Sequence, residues 1–222
     1  LPTLDTTTTK PSVGGAYNSW TTAGFFGRIN YDFAGRYLFE ANLRYDGSSR
    51  FLRANRWNVF PSFSAGWNIA REKFWEPLTD YVNTLKLRAS WGQLGNQNTE
   101  NLYPFYPTIG FSSQGGNWLI NGAKPNIAKQ PSLVSSTLTW EKSRTWEIGL
   151  DWGAFNNRLT GSFGYYQRKT FDMVGPAPEL PVILGANPPK VNNLDMTSKG
   201  WDLQIGWRDV IGEVSYGASL VL

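Results

Sequence analysis

Residues Arg36 to Asp46, RYLFEANLRYD, alternate in twos: Tyr37, Phe39, Ala41, Leu43 and Tyr45 fall on one side, and Leu38, Glu40, Asn42, Arg44 and Asp46 on the other. Only an extended strand separates side chains with a period of two. The apolar side begins and ends in tyrosine, while ionisable groups are spaced along the opposite side. An apolar band with aromatic ends, backed by a charged face, is the pattern of a strand set between lipid and a wet lumen. The stretch therefore predicts a transmembrane barrel strand.

The same alternation predicts an all-β, antiparallel architecture of about eight strands over 20–33, 36–46, 57–70, 85–93, 138–152, 158–170, 200–208 and 213–222. Residues 1–17, rich in Thr, Pro and Gly, lack any period and predict a loop. Pro61 cannot donate to a ladder, which places it near a rim. Short turns at 33–35, 153–157 and 209–212 alternate with longer connections at 47–56, 94–137 and 171–198, as short periplasmic turns and long extracellular loops do in an outer-membrane barrel. Residues 71–84 lose the alternation and are expected to hold a short helical turn on the short-turn side. The stretch 94–137 is too long for a structureless loop, so it predicts a functional loop or a small hairpin.

Two detailed expectations follow from parity. Tyr31, Phe39, Leu43, Phe63, Trp67, Leu87, Ile148, Leu150, Phe163, Leu203 and Ile205 should share the lipid face. In the first hairpin, with Gly35 supplying a positive φ at the end of a three-residue loop, facing residues should sum to 68. That register sets Asp32 opposite Arg36 and Arg28 opposite Glu40 as a lumenal charge pair, and Tyr31 beside Tyr37.

Composition narrows the chemistry. The chain has 11 Trp, 13 Phe, 10 Tyr and 23 Gly but no Cys and no His, which removes thiolate and imidazole nucleophiles and the common zinc sites. The expectation is no enzyme, no catalytic residue, no metal and no cofactor. A net charge of +4 without a Lys/Arg stripe gives no footprint for nucleic acid. No apolar run is long enough for a spanning helix, and the N-terminus lacks a signal-peptide pattern. Glu40, Glu147, Asp151 and Asp202 are carboxylates of the type a glycosidase uses, yet all four fall on the lumenal parity beside Arg and Lys, where a solvated charge ladder is expected. Tyr103, Phe105, Tyr106 and Trp118, with Arg50, sit in connections at the long-loop rim and are the candidate substrate contacts.

Five segments in order, YDFAGRYLFEANLRYDGSSRF, FPSFSAGWNIAREKFW, LKLRASWGQLGNQN, LTWEKSRTWEIGLDWGAFNNRLTGSFGYYQRKTFDMV and SKGWDLQIGW, resemble the barrel of the SusC/RagA family of TonB-linked outer-membrane importers. The resemblance spans roughly residues 19–215. It implies a barrel of about 22 strands around an N-terminal plug, driven through TonB and lidded by a SusD-like surface lipoprotein. Oligosaccharides or peptides are the implied cargo, and the outer membrane of a Gram-negative bacterium the implied location. Since plug, TonB box and closing C-terminal strands have no counterpart in residues 1–222, the chain is expected to be part of such a barrel domain. Two other readings compete: a complete eight-stranded outer-membrane barrel, and a soluble carbohydrate-binding β-sandwich whose apolar faces would meet in a dry core.

Overall fold

Among the described residues the chain forms ten strands: β1 (Thr22–Phe33), β2 (Tyr37–Ser48), β3 (Trp57–Asn68), β4 (Val82–Asn96), β5 (Gly110–Ser112), β6 (Ile127–Lys129), β7 (Glu141–Ala154), β8 (Leu159–Gly175), β9 (Val191–Ile211) and β10 (Val214–Val221). The computed structural model describes residue 15 and residues 17–222 except 100, 132, 177, 178, 180, 182, 184, 186 and 187. Most of the expected loop 1–17, and part of that at 171–198, thus lies outside the described residues. Eight strands form one antiparallel sheet in the order β1-β2-β3-β4-β7-β8-β9-β10, while β5 and β6 pair separately as the small hairpin inside the long connection.

Because each strand pairs with the next, successive connections fall at opposite ends of the sheet. At one end Arg36 pairs with Glu72 at 3.2 Å, the Phe155 amide donates to the Tyr81 carbonyl at 2.9 Å, and Arg158 pairs with Asp209 at 3.3 Å. The first two contacts tie short turns to the β3–β4 connection, which folds as two 3-10 turns, Ile69–Arg71 and Lys73–Leu78, and the third ties the β7–β8 turn to the end of β9. The opposite end gathers the long connections. There the Trp140 indole donates to the Arg56 carbonyl at 2.9 Å, and Asn192 exchanges hydrogen bonds with the Thr139 backbone at 3.0 and 3.1 Å.

The first hairpin departs from the expected register. Phe33 faces Tyr37, so facing residues sum to 70: Arg28 lies opposite Asn42, Asn30 opposite Glu40, Asp32 opposite Leu38 and Tyr31 opposite Phe39. The turn decides this. Ala34 and Gly35 adopt φ of 56° and 63°, the Arg36 amide donates to the Phe33 carbonyl at 3.0 Å, and the Asp32 carboxylate accepts the Gly35 amide at 2.7 Å. Asp32 thus caps the turn instead of facing Arg36, whose guanidinium goes to Glu72. Charge matching could not enforce the other register, because Arg28 is long enough to reach Glu40 diagonally at 3.0 Å while donating to Asn42 at 2.9 Å.

Element ends shift as well. β7 starts at Glu141 rather than 138, and β4 runs through Asn96. β8 continues to Gly175 and β9 begins at Val191, so the strands reach deep into the segment expected to be a loop from 171 to 198. Alternation hid this extension, because the β8–β9 ladder slips between Thr170 and Val174, where Asp172 adopts φ 57°.

Among the described residues no second layer packs on either face of the eight-stranded sheet, which is not the two-layer sandwich with a dry core. β1 and β10 are the sheet's two edges, so these strands do not close into a small barrel. Among the described residues, the buried side chains of Phe51, Phe60 and Trp140 form one compact apolar group under the loop that follows β2.

Candidate functional site

The register assigns every strand residue to a face. Following facing pairs from β1 to β10, one side collects Ile29, Phe39, Leu43, Phe63, Leu87, Ile148, Leu150, Phe163, Leu203, Ile205 and Leu220, and all eleven residues expected to face lipid lie on it. Two aromatic rings border this outward face. The lower ring is Tyr37, Trp67, Trp152, Trp207 and Tyr216; the upper ring is Tyr45, Trp57, Trp91, Trp146, Tyr165 and Trp201. Between them, the outward positions of the eight sheet strands bear no Asp, Glu, Lys or Arg.

The geometry of the rings fixes the tilt of the strands. Tyr37 and Trp67 face each other; their ladder row continues to Leu150, two residues above Trp152, and to Leu203, four above Trp207. Ala218 faces Trp207 and stands two residues above Tyr216. The lower ring therefore descends by about one residue per strand. With a rise of about 3.4 Å per residue and about 4.8 Å between strands, that stagger is a tilt of about 35°, within the range of membrane barrels. The rings lie six residues apart along β7 and β9, eight along β2 and ten along β3. At that tilt the separation is about 17–28 Å, which brackets the apolar band of about 25 Å that an outer membrane requires.

The inward face is ionic. Arg28 pairs with Glu40, Arg44 with Asp46 at 3.0 Å, and Arg88 bridges Glu147 and Asp151. These carboxylates are held by arginines, not set as a free pair around a substrate. Asp202, the fourth carboxylate of that expectation, also lies on this face, opposite Gly164.

At the upper rim, the structure brings three of the predicted contact residues together. The Tyr103 ring meets Phe105 at 6.2 Å and Tyr106 at 6.3 Å, and Phe105 meets Tyr106 at 4.6 Å. Tyr103 is anchored by donating its hydroxyl to the Ser19 carbonyl at 2.7 Å. Arg50 stacks on Trp20 at 4.4 Å and donates to the Gln97 carbonyl at 3.3 Å, which ties it to the wall. Trp118, 56% exposed, lies apart in the β5–β6 segment. Tyr103 and Tyr106 line a cleft of about 690 Å³ together with Asn98, Thr99, Asn101, Leu133, Ser135, Glu141 and Lys190. Sequence reading missed those partners because they come from three separate connections and strand ends, with no spacing that joins them.

On the lower rim Glu72 receives the Trp67 indole N–H at 3.1 Å and the Arg36 guanidinium at 3.2 Å. Hydrogen bonding from Tyr37, then from Trp67, and the charge of Arg36 hold its carboxyl below the ordinary value of 4.5.

Comparison with known proteins agrees with this geometry. The chain is 33% identical over 192 residues to the TonB-dependent receptor SusC of Bacteroides thetaiotaomicron, covering 86% of this chain and 19% of that protein. It is also 33% identical over 196 residues to TonB-dependent receptor P3 of Formosa agariphila, covering 88% and 19%. Among solved structures, the RagAB peptide importer in its open-open state aligns with a TM-score of 0.75 at 25% identity, over 91% of this chain and 22% of that one. The siderophore receptor PirA of Pseudomonas aeruginosa, at 14% identity and a TM-score of 0.53, shares the fold alone. The chain thus spans about a fifth of the length of these curated relatives. A family model described as TonB dependent receptor-like, beta-barrel, matches residues 2–221, and the chain belongs to that family.

Proposed function

We propose that residues 1–222 form part of the barrel wall and outer rim of a SusC-type importer in the outer membrane. The observation that carries this reading is the outward band, free of Asp, Glu, Lys and Arg between two aromatic rings and backed by an ionic inner face. In this reading the whole protein takes up oligosaccharides or peptides with energy delivered through TonB, and a SusD-like surface lipoprotein covers the rim. The similarity to the TonB-dependent receptor SusC supports energy coupling through TonB, and that to the RagAB peptide importer supports peptide among the cargoes. Tyr103 and Tyr106 contact cargo or lid from the cleft at the long-loop end, with Phe105 packed against both and Trp118 as an outlying contact. Arg50 positions the loop that bears it, and the Arg28–Glu40 pair faces the lumen.

The test is uptake by cells in which the full-length gene is deleted and restored. Labelled oligosaccharide and peptide pools should be depleted from the medium only by the restored strain, and only with TonB intact. Tyr106→Ala should slow uptake several-fold while leaving the amount of protein in the outer membrane unchanged. Equal depletion of both pools by the deletion strain would overturn the proposal.

A further inference from the structure

Outward-facing cations first occur immediately above the upper ring, and they cluster on three neighbouring strands. Arg144 lies two residues above Trp146 on β7, Lys169 four above Tyr165 on β8, and Lys199 two above Trp201 on β9. Arg144 and Lys169 face each other directly across the ladder, an arrangement of like charges that costs stability unless an anion lies against it. Arg144 is held in place: its guanidinium rests on Phe171 at 5.1 Å and Trp91 at 5.8 Å and donates to Gln93 at 3.1 Å. Lys169 has one weak partner, Asp195 at 3.1 Å, with both side chains about half exposed. Lys199 is exposed and has no ion pair or hydrogen bond among the described residues.

We infer that Arg144, Lys169 and Lys199 bind the phosphate of a phosphorylated lipid headgroup in the outer leaflet. The inference rests on the membrane placement above. Aromatic rings mark the headgroup level, and cations just beyond them meet the anionic groups of the lipid surface. The long-loop end is the extracellular side, so the lipid belongs to the outer leaflet. A guanidinium presents a planar fork suited to phosphate, and two flexible ammonium groups can close on the same anion. On β1 to β3, the outward positions flanking the upper ring are Ala23, Phe25, Gly47 and Val59, so the cluster is confined to one sector of the wall.

Native mass spectrometry of the intact full-length protein, loaded in detergent with lipid A or with its dephosphorylated form, tests this. Wild type should retain lipid A, and Arg144→Gln/Lys169→Gln/Lys199→Gln should retain it on the order of tenfold to a hundredfold less. The inward-facing control Arg168→Gln should behave as wild type. Millimolar inorganic phosphate should leave the bound lipid in place, because the acyl chains pack on the apolar band below. Equal retention of the dephosphorylated lipid, or undiminished retention by the triple variant, would overturn the inference. Co-flotation of wild-type protein with phosphatidylcholine vesicles is measured in parallel; loss of flotation would contradict the membrane placement itself, and flotation without lipid A selectivity the headgroup site alone.

Discussion

Arg88 lies flat across Gly149. A Cβ at residue 149 would sit 2.6 Å from the guanidinium carbon, and the same guanidinium pairs with Glu147 and Asp151, the inward neighbours of Gly149 on β7. The absent side chain creates the slot in which one arginine of β4 bridges two carboxylates of β7. Gly149→Val should push Arg88 off both and lower stability by about 1–3 kcal/mol. The effect should be read as a lower temperature for the gel-mobility shift of the full-length barrel in detergent, with Gly149→Ala intermediate. An unchanged transition in Gly149→Val would show that the bridge does not hold β4 to β7.

The upper rim has its own small core. Phe51 and Phe60 meet Trp140 at 5.3 and 5.4 Å, and all three are almost wholly buried. Trp140 also donates to the Arg56 carbonyl, so it fixes the loop after β2 to the start of β7. Trp140→Ala should remove about 3–5 kcal/mol locally and release that loop. Limited proteolysis on whole cells should then cut within residues 49–56, a region resistant in wild type.

These two features divide what sequence could show from what it could not. Alternation in single strands located the sheet, its two faces and all eleven outward residues, because a membrane wall needs the same parity over many positions. Register was not legible in the same way. The Asp32 cap on Gly35 and the reach of Arg28 to both Asn42 and Glu40 belong to local geometry, and either even sum keeps the same residues on the same faces. The rim core was hidden because Phe51 lies in a connection outside any periodic segment, while Trp140 fell within the expected strand 138–152 and is distant from Phe51 in sequence. Likewise the cleft draws Asn98, Leu133 and Lys190 together only after the long connections fold back. The overlong β8 and β9 were masked by the ladder slip near Asp172.

Glu72 makes the lower rim sensitive to acid. Its folded-state pKa lies below the ordinary value of 4.5, so the stabilisation it provides is fully present above that value and is lost as pH falls through the folded one. Glu72→Gln should therefore melt at a lower temperature than wild type at pH 7, and the two curves should converge as pH falls below the ordinary value of 4.5 and through the folded one. A gap between wild type and variant that stays constant from pH 7 to pH 3 would contradict the assignment.

The central claim is that one face of the sheet meets lipid and the other water. This chain has no cysteine, so once any cysteine elsewhere in the full-length protein is replaced by serine, single cysteines at residues 37–46 report on β2 directly. In isolated outer membranes bearing the full-length protein, a membrane-impermeant maleimide should label Glu40→Cys, Asn42→Cys and Arg44→Cys but spare Phe39→Cys, Ala41→Cys and Leu43→Cys, which should instead be quenched by lipid-bound nitroxide. A period of two across the strand is the predicted result. Uniform labelling of all ten positions, or protection of the even-numbered ones with labelling of the odd, would contradict it.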